Sequence, residues 1–218
     1  DDARAQAATP LLIPLGSPVA PGLLDGAFGP EWDDAALFAA PAFHSVNDPS
    51  ITYPTAIRLK HDGTNLYFAL EITREQTFND FWFFLMLDRD GDGSVVTNGD
   101  DYLRVPAKGS AVQNTDMYAQ GGTFVSDVGA GGSQDLAGGG AEAPSGPGAT
   151  YRVEASHPLS SGDQRDVAWS VGQAVHMIFG TVGISSPEDT TKTGDPEVAG
   201  EYRLTDCNVN DIPDACDI

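Results

Sequence analysis

Short runs of β-forming residues, separated by glycine and proline, constrain the fold of this chain more than any other feature. The runs are rich in branched and aromatic side chains and occupy residues 56–60, 66–72, 81–87, 102–105, 151–155 and 175–182. Turn residues at 61–65 stand between the first two runs and predict a hairpin loop. Strands of this length between turns predict an all-β fold, an antiparallel β-sandwich of the jelly-roll-like type.

Two segments depart from this strand pattern. Residues 31–38 indicate a helical turn, and the glycine- and alanine-rich stretch 129–148 is typical of a flexible loop. We expect an N-terminal extended arm at residues 1–21, the sandwich domain at 22–204 and a short calcium-binding tail at 205–218. The chain has 218 residues, 40% of them hydrophobic, which is enough apolar material for one full core.

An acidic loop follows the apolar run at 81–87. Its aspartates stand at alternate positions, with glycine where the chain turns sharply. Ca²⁺ takes six to eight oxygen ligands at about 2.3–2.6 Å, and alternating carboxylates can supply most of them. The loop lacks the closing glutamate of an EF-hand, so later acids are candidates to complete the site; a solvated acidic turn is the alternative. The predicted ligands are Asp88, Asp90, Asp92, the Ser94 backbone carbonyl, Asp100 and Asp101.

A second acidic loop lies near the C-terminus and resembles a thrombospondin type-3 calcium repeat. Asp211 stands where that repeat usually has glycine, so a purely structural turn is the alternative. Cys207 and Cys216 flank the loop, where a disulfide would close a short ring, although pairing with a neighbouring chain is equally open. The predicted ligands are Asp206, Asn208, Asn210 and Asp214.

The charge of the chain is strongly acidic. With 32 acidic and 11 basic side chains the formal charge is −21, which repels nucleic acid and anionic membrane surfaces. Bound divalent cations would relieve part of this repulsion. The chain begins at Asp1 and shows no signal peptide or transmembrane run, so we expect the mature form of an exported protein, extracellular or at the cell surface.

The N-terminal arm contains an apolar segment spaced by proline. Pro10, Pro14 and Pro18 recur at every fourth position and exclude a central strand position. An edge strand or polyproline-like arm could dock on a neighbouring subunit, and a head-to-tail contact that does not close would build a filament. An arm folded back on its own domain is the alternative. The predicted assembly residues are Leu11, Leu12, Ile13 and Leu15.

The order of several motifs resembles the family 9 carbohydrate-binding-module-like, or DOMON-like, β-sandwiches. The motifs are Leu24-Asp25-Gly26, Trp32-Asp33-Asp34-Ala35, the strand at 65–72, the apolar strand running into 88–92, and residues 151–154 leading to His157. The resemblance spans about residues 22–204. It implies an extracellular, non-catalytic, often calcium-stabilised sandwich that binds sugars, haem or other proteins.

A sugar-binding site would need exposed aromatic rings that stack on the sugar. The candidates are Trp32, Trp82, Tyr118 and Trp169, although the surrounding sequence favours core packing for the tryptophans. A haem site would need axial ligands such as Met117, Met177, His157 and His176, whose spacing identifies no pair. We see no arrangement of residues that indicates catalysis.

The sequence therefore predicts a secreted, calcium-stabilised, non-catalytic structural subunit of an extracellular or cell-surface assembly that associates with itself through the arm. A carbohydrate-binding module with glycan partners is the alternative, followed by a haem-binding DOMON-like domain. Neither nucleic-acid binding nor membrane insertion is expected.

Overall fold

The computed structural model describes residues 10–38, 43–44, 52–89, 99–109, 113–184 and 193–205. Several predicted site residues lie outside these ranges, namely Asp90, Asp92, Ser94, Asp206, Asn208, Asn210, Asp214, Cys207 and Cys216. The disulfide, the C-terminal calcium site and most of the first calcium loop therefore stay predictions.

The described residues form two large sheets. The strands in chain order are β1 (Leu11–Ile13), β2 (Ala36–Phe38), β3 (Phe43–His44), β4 (Thr52–Tyr53), β5 (Thr55–His61), β6 (Asn65–Arg74), β7 (Asp80–Asp88), β8 (Asp101–Lys108), β9 (Thr115–Gln120), β10 (Thr123–Ser126), β11 (Ala137–Ala143), β12 (Ala149–Pro158), β13 (Ala174–Ile184) and β14 (Thr193–Leu204). Seven strands form one sheet in the order β1-β14-β13-β7-β8-β9-β10, and five form the other in the order β11-β12-β6-β5-β2. Strands β3 and β4 pair separately.

The sheets pack face to face as an antiparallel β-sandwich, which confirms the predicted fold class. Every neighbouring pair within the two sheets is antiparallel except β1 with β14. Helical structure in the described ranges is limited to 3₁₀ turns at Pro21–Leu23, Pro30–Trp32 and Val128–Ala130. None of these turns is long and apolar enough to cross a membrane.

Strand β7 explains the longest apolar run in the sequence. Phe81, Phe83 and Leu85 face the core between the sheets. Trp82 and Phe84 belong to a second apolar cluster, with side chains of β13. Because both faces of this central strand are covered, residues 81–87 are all apolar instead of alternating with polar residues.

The hairpin predicted at 61–65 is confirmed between β5 and β6. Gly63 has φ +84°, a left-handed conformation that glycine adopts without strain. The Asp62 carboxylate accepts hydrogen bonds from the backbone N–H of Thr64 at 2.8 Å and of Asn65 at 2.7 Å. The Tyr67 hydroxyl donates to the same carboxylate at 2.7 Å, so the turn is tied to the following strand.

The described part of the N-terminal arm, residues 10–21, packs on its own domain. Strand β1 pairs in parallel with Tyr202–Leu204 of β14, and Ile13 is fully buried. The Ile13 carbonyl accepts a hydrogen bond from the Thr205 backbone N–H at 2.9 Å. The segment occupies the edge of the sheet, where its prolines are tolerated. This arrangement matches the alternative of an arm folded back on its own domain, while Leu11, Leu12 and Leu15 stay exposed.

Two sequence expectations differ from the structure. The helical indication at 31–38 is limited to the 3₁₀ turn Pro30–Trp32, and Ala36–Phe38 form an edge strand. Residues 137–143 of the predicted flexible loop form β11, which pairs with β12. A Cβ at Gly140 would lie 2.5 Å from the Pro106 carbonyl oxygen of the opposite sheet. The absence of a side chain at Gly140 therefore permits a close approach between the sheets.

Candidate functional site

The four candidate aromatic residues for sugar stacking are buried, as the surrounding sequence favours for the tryptophans. Trp32, Trp82 and Trp169 are only 4–5% exposed, and Tyr118 is 7% exposed. The indole N–H of Trp32 donates to the Glu154 carboxylate, and that of Trp169 donates to the Gln173 carbonyl at 2.8 Å. The three tryptophan rings are therefore packed in the interior and offer no free face to a ligand, whereas the Tyr118 ring lines a surface cleft.

A polar cleft of about 690 Å³ opens on the surface instead. The loop after β10 and the loop after β12 form most of it, and the Tyr118 ring lies at one side with the Arg165 guanidinium 4.9 Å from its centroid. The described lining residues are Gly99, Tyr118, Gly131, Gly132, Ser133, Ser161, Gly162, Asp163, Gln164 and Arg165.

Hydrogen bonds hold the two cleft loops together. The Asp163 carboxylate accepts from the backbone N–H of Ser133 at 2.8 Å and of Arg165 at 3.0 Å. Arg165 donates across the cleft to the Ala130 carbonyl. Gly132 lies against Asp163, where a side chain would overlap the carboxylate. The polar groups of the cleft are thereby fixed in position.

An acidic cluster is buried beneath the cleft. Its members are Asp101, Asp116, Asp127, His157 and Asp166, all between 0% and 3% exposed. The His157 Nε2 atom lies 3.2 Å from Asp116 Oδ2 and 4.0 Å from Asp166 Oδ2. The Asp101 carboxylate accepts a hydrogen bond from the Val167 backbone N–H at 2.5 Å. Strands β8, β9 and β12 and two loops thus converge on one charged interior site.

Burial and mutual repulsion perturb these acids. Burial raises the pKa of Asp101 well above its ordinary value, and Asp116 and Asp166 add to the effect. Burial also raises the pKa of Asp127 to about 8, with Asp166 as the next contributor. For His157, burial acts to lower the pKa, but the hydrogen bond and charge of Asp116, with Asp101 and Asp166, raise it overall. The cluster therefore favours an imidazolium among carboxylates.

The acids fall into two groups that could hold a metal ion. In each of the sets Asp116–His157–Asp166 and Asp127–Asp163–Asp166, the potential ligand atoms lie within 4.8 Å of one another. Both oxygens of Asp127 and of Asp166 are buried, and no protein donor reaches them apart from a proton that the two acids would share. Buried carboxylates normally have several donors, so this arrangement requires an explanation.

The two acids predicted to close the first calcium loop, Asp100 and Asp101, have different hydrogen-bond partners. Asp100 accepts a hydrogen bond from the Arg89 backbone N–H at 3.0 Å, so it lies beside the end of β7. Asp88 is buried, with its carboxylate 3.6 Å from His176 Nδ1. Asp101, the next residue, belongs to the acidic cluster. Only Asp101 of the sequence-predicted calcium ligands therefore joins that cluster within the described residues.

Four acids of this region, Asp116, Asp127, Asp163 and Asp166, are not among the sequence-predicted ligands. One local signal is present, because Asp116 occupies an inward position of β9, which it shares with buried Tyr118. Charged residues at inward strand positions are unusual and indicate a paired or liganded site. His157, named above as a haem candidate, contacts Asp116.

Comparisons with known proteins support the fold. No protein-family model matches the chain, and no curated protein matches its sequence. A family 9 carbohydrate-binding module from Caldicellulosiruptor kristjanssonii in complex with glucose has a TM-score of 0.56 and 16% identity, covering 96% of this chain and 99% of that chain. The same organism's module in complex with cellotriose has a TM-score of 0.53 and 14% identity, with 96% and 98% covered.

A third solved structure is a candidate carbohydrate-binding protein from Bacteroides uniformis. Its TM-score is 0.54 at 11% identity, with 89% of this chain and 91% of that chain covered. The chain therefore has the fold of a family 9 carbohydrate-binding-module-like β-sandwich.

Proposed function

We propose that this protein is a non-catalytic carbohydrate-binding module that acts outside the cell. The observation that carries the proposal is the polar cleft formed by Tyr118, Ser133, Asp163 and Arg165 on a sandwich of this fold. Two solved proteins of similar fold are complexes with glucose and with cellotriose. Glucose and cellotriose are therefore the first ligands to test.

The chemistry of the cleft suits hydroxyl groups. Ser133 and Gln164 are exposed at its rim, and Asp163 and Arg165 provide an acceptor and a donor that the loop hydrogen bonds already orient. Pre-oriented polar groups lose little entropy when they bind a ligand. Because the tryptophans are buried, we expect recognition by hydrogen bonds, with Tyr118 as the one aromatic ring in the described lining.

A binding role also agrees with the placement of the carboxylates. Glycoside hydrolysis generally uses two carboxyl groups on opposite sides of the bond, about 5 to 9.5 Å apart. Asp163 is the one carboxylate among the described residues that line the cleft. The cleft thus offers a ligand contacts without the usual catalytic pair.

A structural subunit that polymerises through its arm has less support. Leu11–Ile13 already pair with β14 of the same chain, so the main-chain groups of this segment that face β14 are not free for a neighbouring copy. Self-association through the exposed Leu11, Leu12 and Leu15 stays a prediction, which sedimentation measurements of the oligomeric state would test.

Calorimetric titration with glucose, cellotriose and a panel of soluble glycans tests the proposal. We expect saturable binding to the wild-type protein, at least tenfold weaker binding by Arg165→Ala and weaker binding by Gln164→Ala. Gln113→Ala is the matched control, because Gln113 is also exposed but lines a different groove beside Lys108. A wild-type protein that binds none of these sugars, or cleft variants with unchanged affinity, would contradict the proposal.

A further inference from the structure

We infer that Asp127, Asp163 and Asp166 form a binding site for a hard divalent cation of the calcium class at the floor of the cleft. This site is separate from the loop after β7 that the sequence predicts to bind calcium. It does not depend on whether the cleft binds sugar.

The spacing of the three carboxylates fits one ion. Each supplies an oxygen, and these oxygens lie within 4.8 Å of one another. Two oxygens on opposite sides of a calcium ion are separated by twice the bond length, about 4.6–5.2 Å. An all-oxygen set with three negative charges is the chemistry that Ca²⁺ prefers.

The absence of donors around two of these acids points to a missing ligand. Asp127 is fully buried and Asp166 is 3% exposed, yet all four of their carboxylate oxygens lack a protein hydrogen-bond donor. Without a cation, the two buried carboxylates would stand with ligand oxygens within 4.8 Å of each other and no protein hydrogen-bond donor. A divalent cation would keep both acids ionised and satisfy their oxygens.

His157 separates this site from the inner part of the cluster. Its Nε2 atom contacts Asp116 at 3.2 Å, and Asp116 also accepts from the Asp135 backbone N–H at 3.3 Å. Asp101 accepts from the Val167 backbone. Asp101 and Asp116 therefore each have a donor at one carboxylate oxygen, whereas neither oxygen of Asp127 or of Asp166 has one. The all-oxygen set is the better site.

Asp163 connects the proposed site to the cleft, from which an ion can enter. Asp163 is half-buried and lines the cleft, while Asp127 and Asp166 lie behind it. The Asp127 carbonyl accepts from the Gly132 backbone N–H at 2.7 Å, and Ser133 donates to Asp163, so the two ligand-bearing loops are connected. Three carboxylates supply three to six of the six to eight oxygens that calcium needs. Water molecules from the cleft would complete the shell.

The test is calcium titration of the chelator-treated full chain by calorimetry. Asp90→Asn is made in every protein, because the first acidic loop is a separate predicted calcium site. We expect Asp127→Asn, Asp163→Asn and Asp166→Asn each to lose one bound ion or to weaken it at least tenfold. Asp33→Asn is the matched control, since Asp33 is exposed and its loss changes the net charge equally.

Thermal unfolding of the same proteins separates a metal ligand from a structural residue. In chelator, Asp127→Asn and Asp166→Asn should unfold at the same temperature as the parent or higher, because a repelling buried charge has been removed. In calcium, the parent should gain stability that these variants do not gain. Unchanged calcium affinity and an unchanged calcium-dependent shift in all three variants would overturn the inference, as would a parent protein that binds no calcium.

Discussion

Two buried acidic regions of this sandwich differ in how their carboxylates are satisfied. Glu154 is fully buried, and its carboxylate accepts from the backbone N–H of Asp25 at 3.0 Å and of Gly26 at 2.6 Å, and from the Trp32 indole. Asp127 is equally buried, but neither of its carboxylate oxygens has a protein hydrogen-bond donor. Burial alone therefore does not identify a ligand site; the number of donors does.

Glu154→Ala should give the largest effect, because it leaves several buried donors without an acceptor. We expect a loss of about 3 kcal/mol in the free energy of unfolding. Urea unfolding should give the same loss in calcium and in chelator. The matched control is Glu71→Ala, which removes a half-exposed partner of Arg152 and should cost under about 1 kcal/mol. A loss at Glu154 that is confined to calcium solutions would break the distinction between the two regions.

Asp127→Asn should act only through the cation. At a calcium concentration of about 100 times the dissociation constant, binding stabilises the folded chain by about 2.7 kcal/mol. We expect the variant to lose most of this calcium-dependent part of the unfolding free energy while keeping its stability in chelator. The measurement is urea unfolding in an Asp90→Asn background. Equal destabilisation in both solutions would assign Asp127 a purely structural role.

Two glycine substitutions, one beside Glu154 and one beside Asp163, should differ in their dependence on calcium. Gly26 donates to Glu154, has φ +83°, and a Cβ there would lie 2.6 Å from the Ala141 backbone nitrogen. Gly26→Ala should cost about 1–3 kcal/mol, independent of calcium. Gly132→Ala should instead displace Asp163 and weaken calcium binding by about tenfold or more. Calorimetry and urea unfolding of both variants test these two predictions. Weaker calcium binding by Gly26→Ala, or unchanged calcium binding by Gly132→Ala, would contradict them.

The smallest effect is a pH dependence at Glu154. Burial raises the pKa of this carboxyl above its ordinary value of 4.5, although the Trp32 and backbone hydrogen bonds oppose the shift. A raised pKa in the folded chain means that the folded state holds the proton longer, so this part of the stability is lost as pH rises through the folded pKa. The unfolding free energy of Glu154→Gln should lack that decline, as urea titrations at several pH values would reveal. If the unfolding free energies of the wild-type protein and Glu154→Gln change with pH in the same way, the pKa of Glu154 is not raised in the folded chain.

The fold was largely predictable, because strand patterns are local. The run at 81–87 and the hairpin at 61–65 both lie where the sequence predicts them. The stretch 137–143 was not recognised as a strand, because its glycines indicate flexibility when read alone. Gly140 is required because the Pro106 backbone of the opposite sheet approaches it closely. That contact is between residues far apart in the sequence, so the local sequence does not reveal it.

The acidic cluster was much harder to predict than the strands. Asp127 and Asp166 are distant in sequence and come together only in the folded chain, where hydrogen bonds connect the loops after β10 and β12. The acidic repeats that attract attention in the sequence lie mainly outside the described residues. Asp116 at an inward position of β9 was the one local indication, and its partners could not be deduced from it.

Anomalous X-ray scattering from crystals soaked in calcium, or in terbium as a stronger scatterer, would locate the bound ion. We expect an anomalous peak bounded by Asp127, Asp163 and Asp166, and no peak beside Glu154. Ordered density for these three carboxylates without a peak between them, while the loop after β7 is occupied, would contradict this prediction.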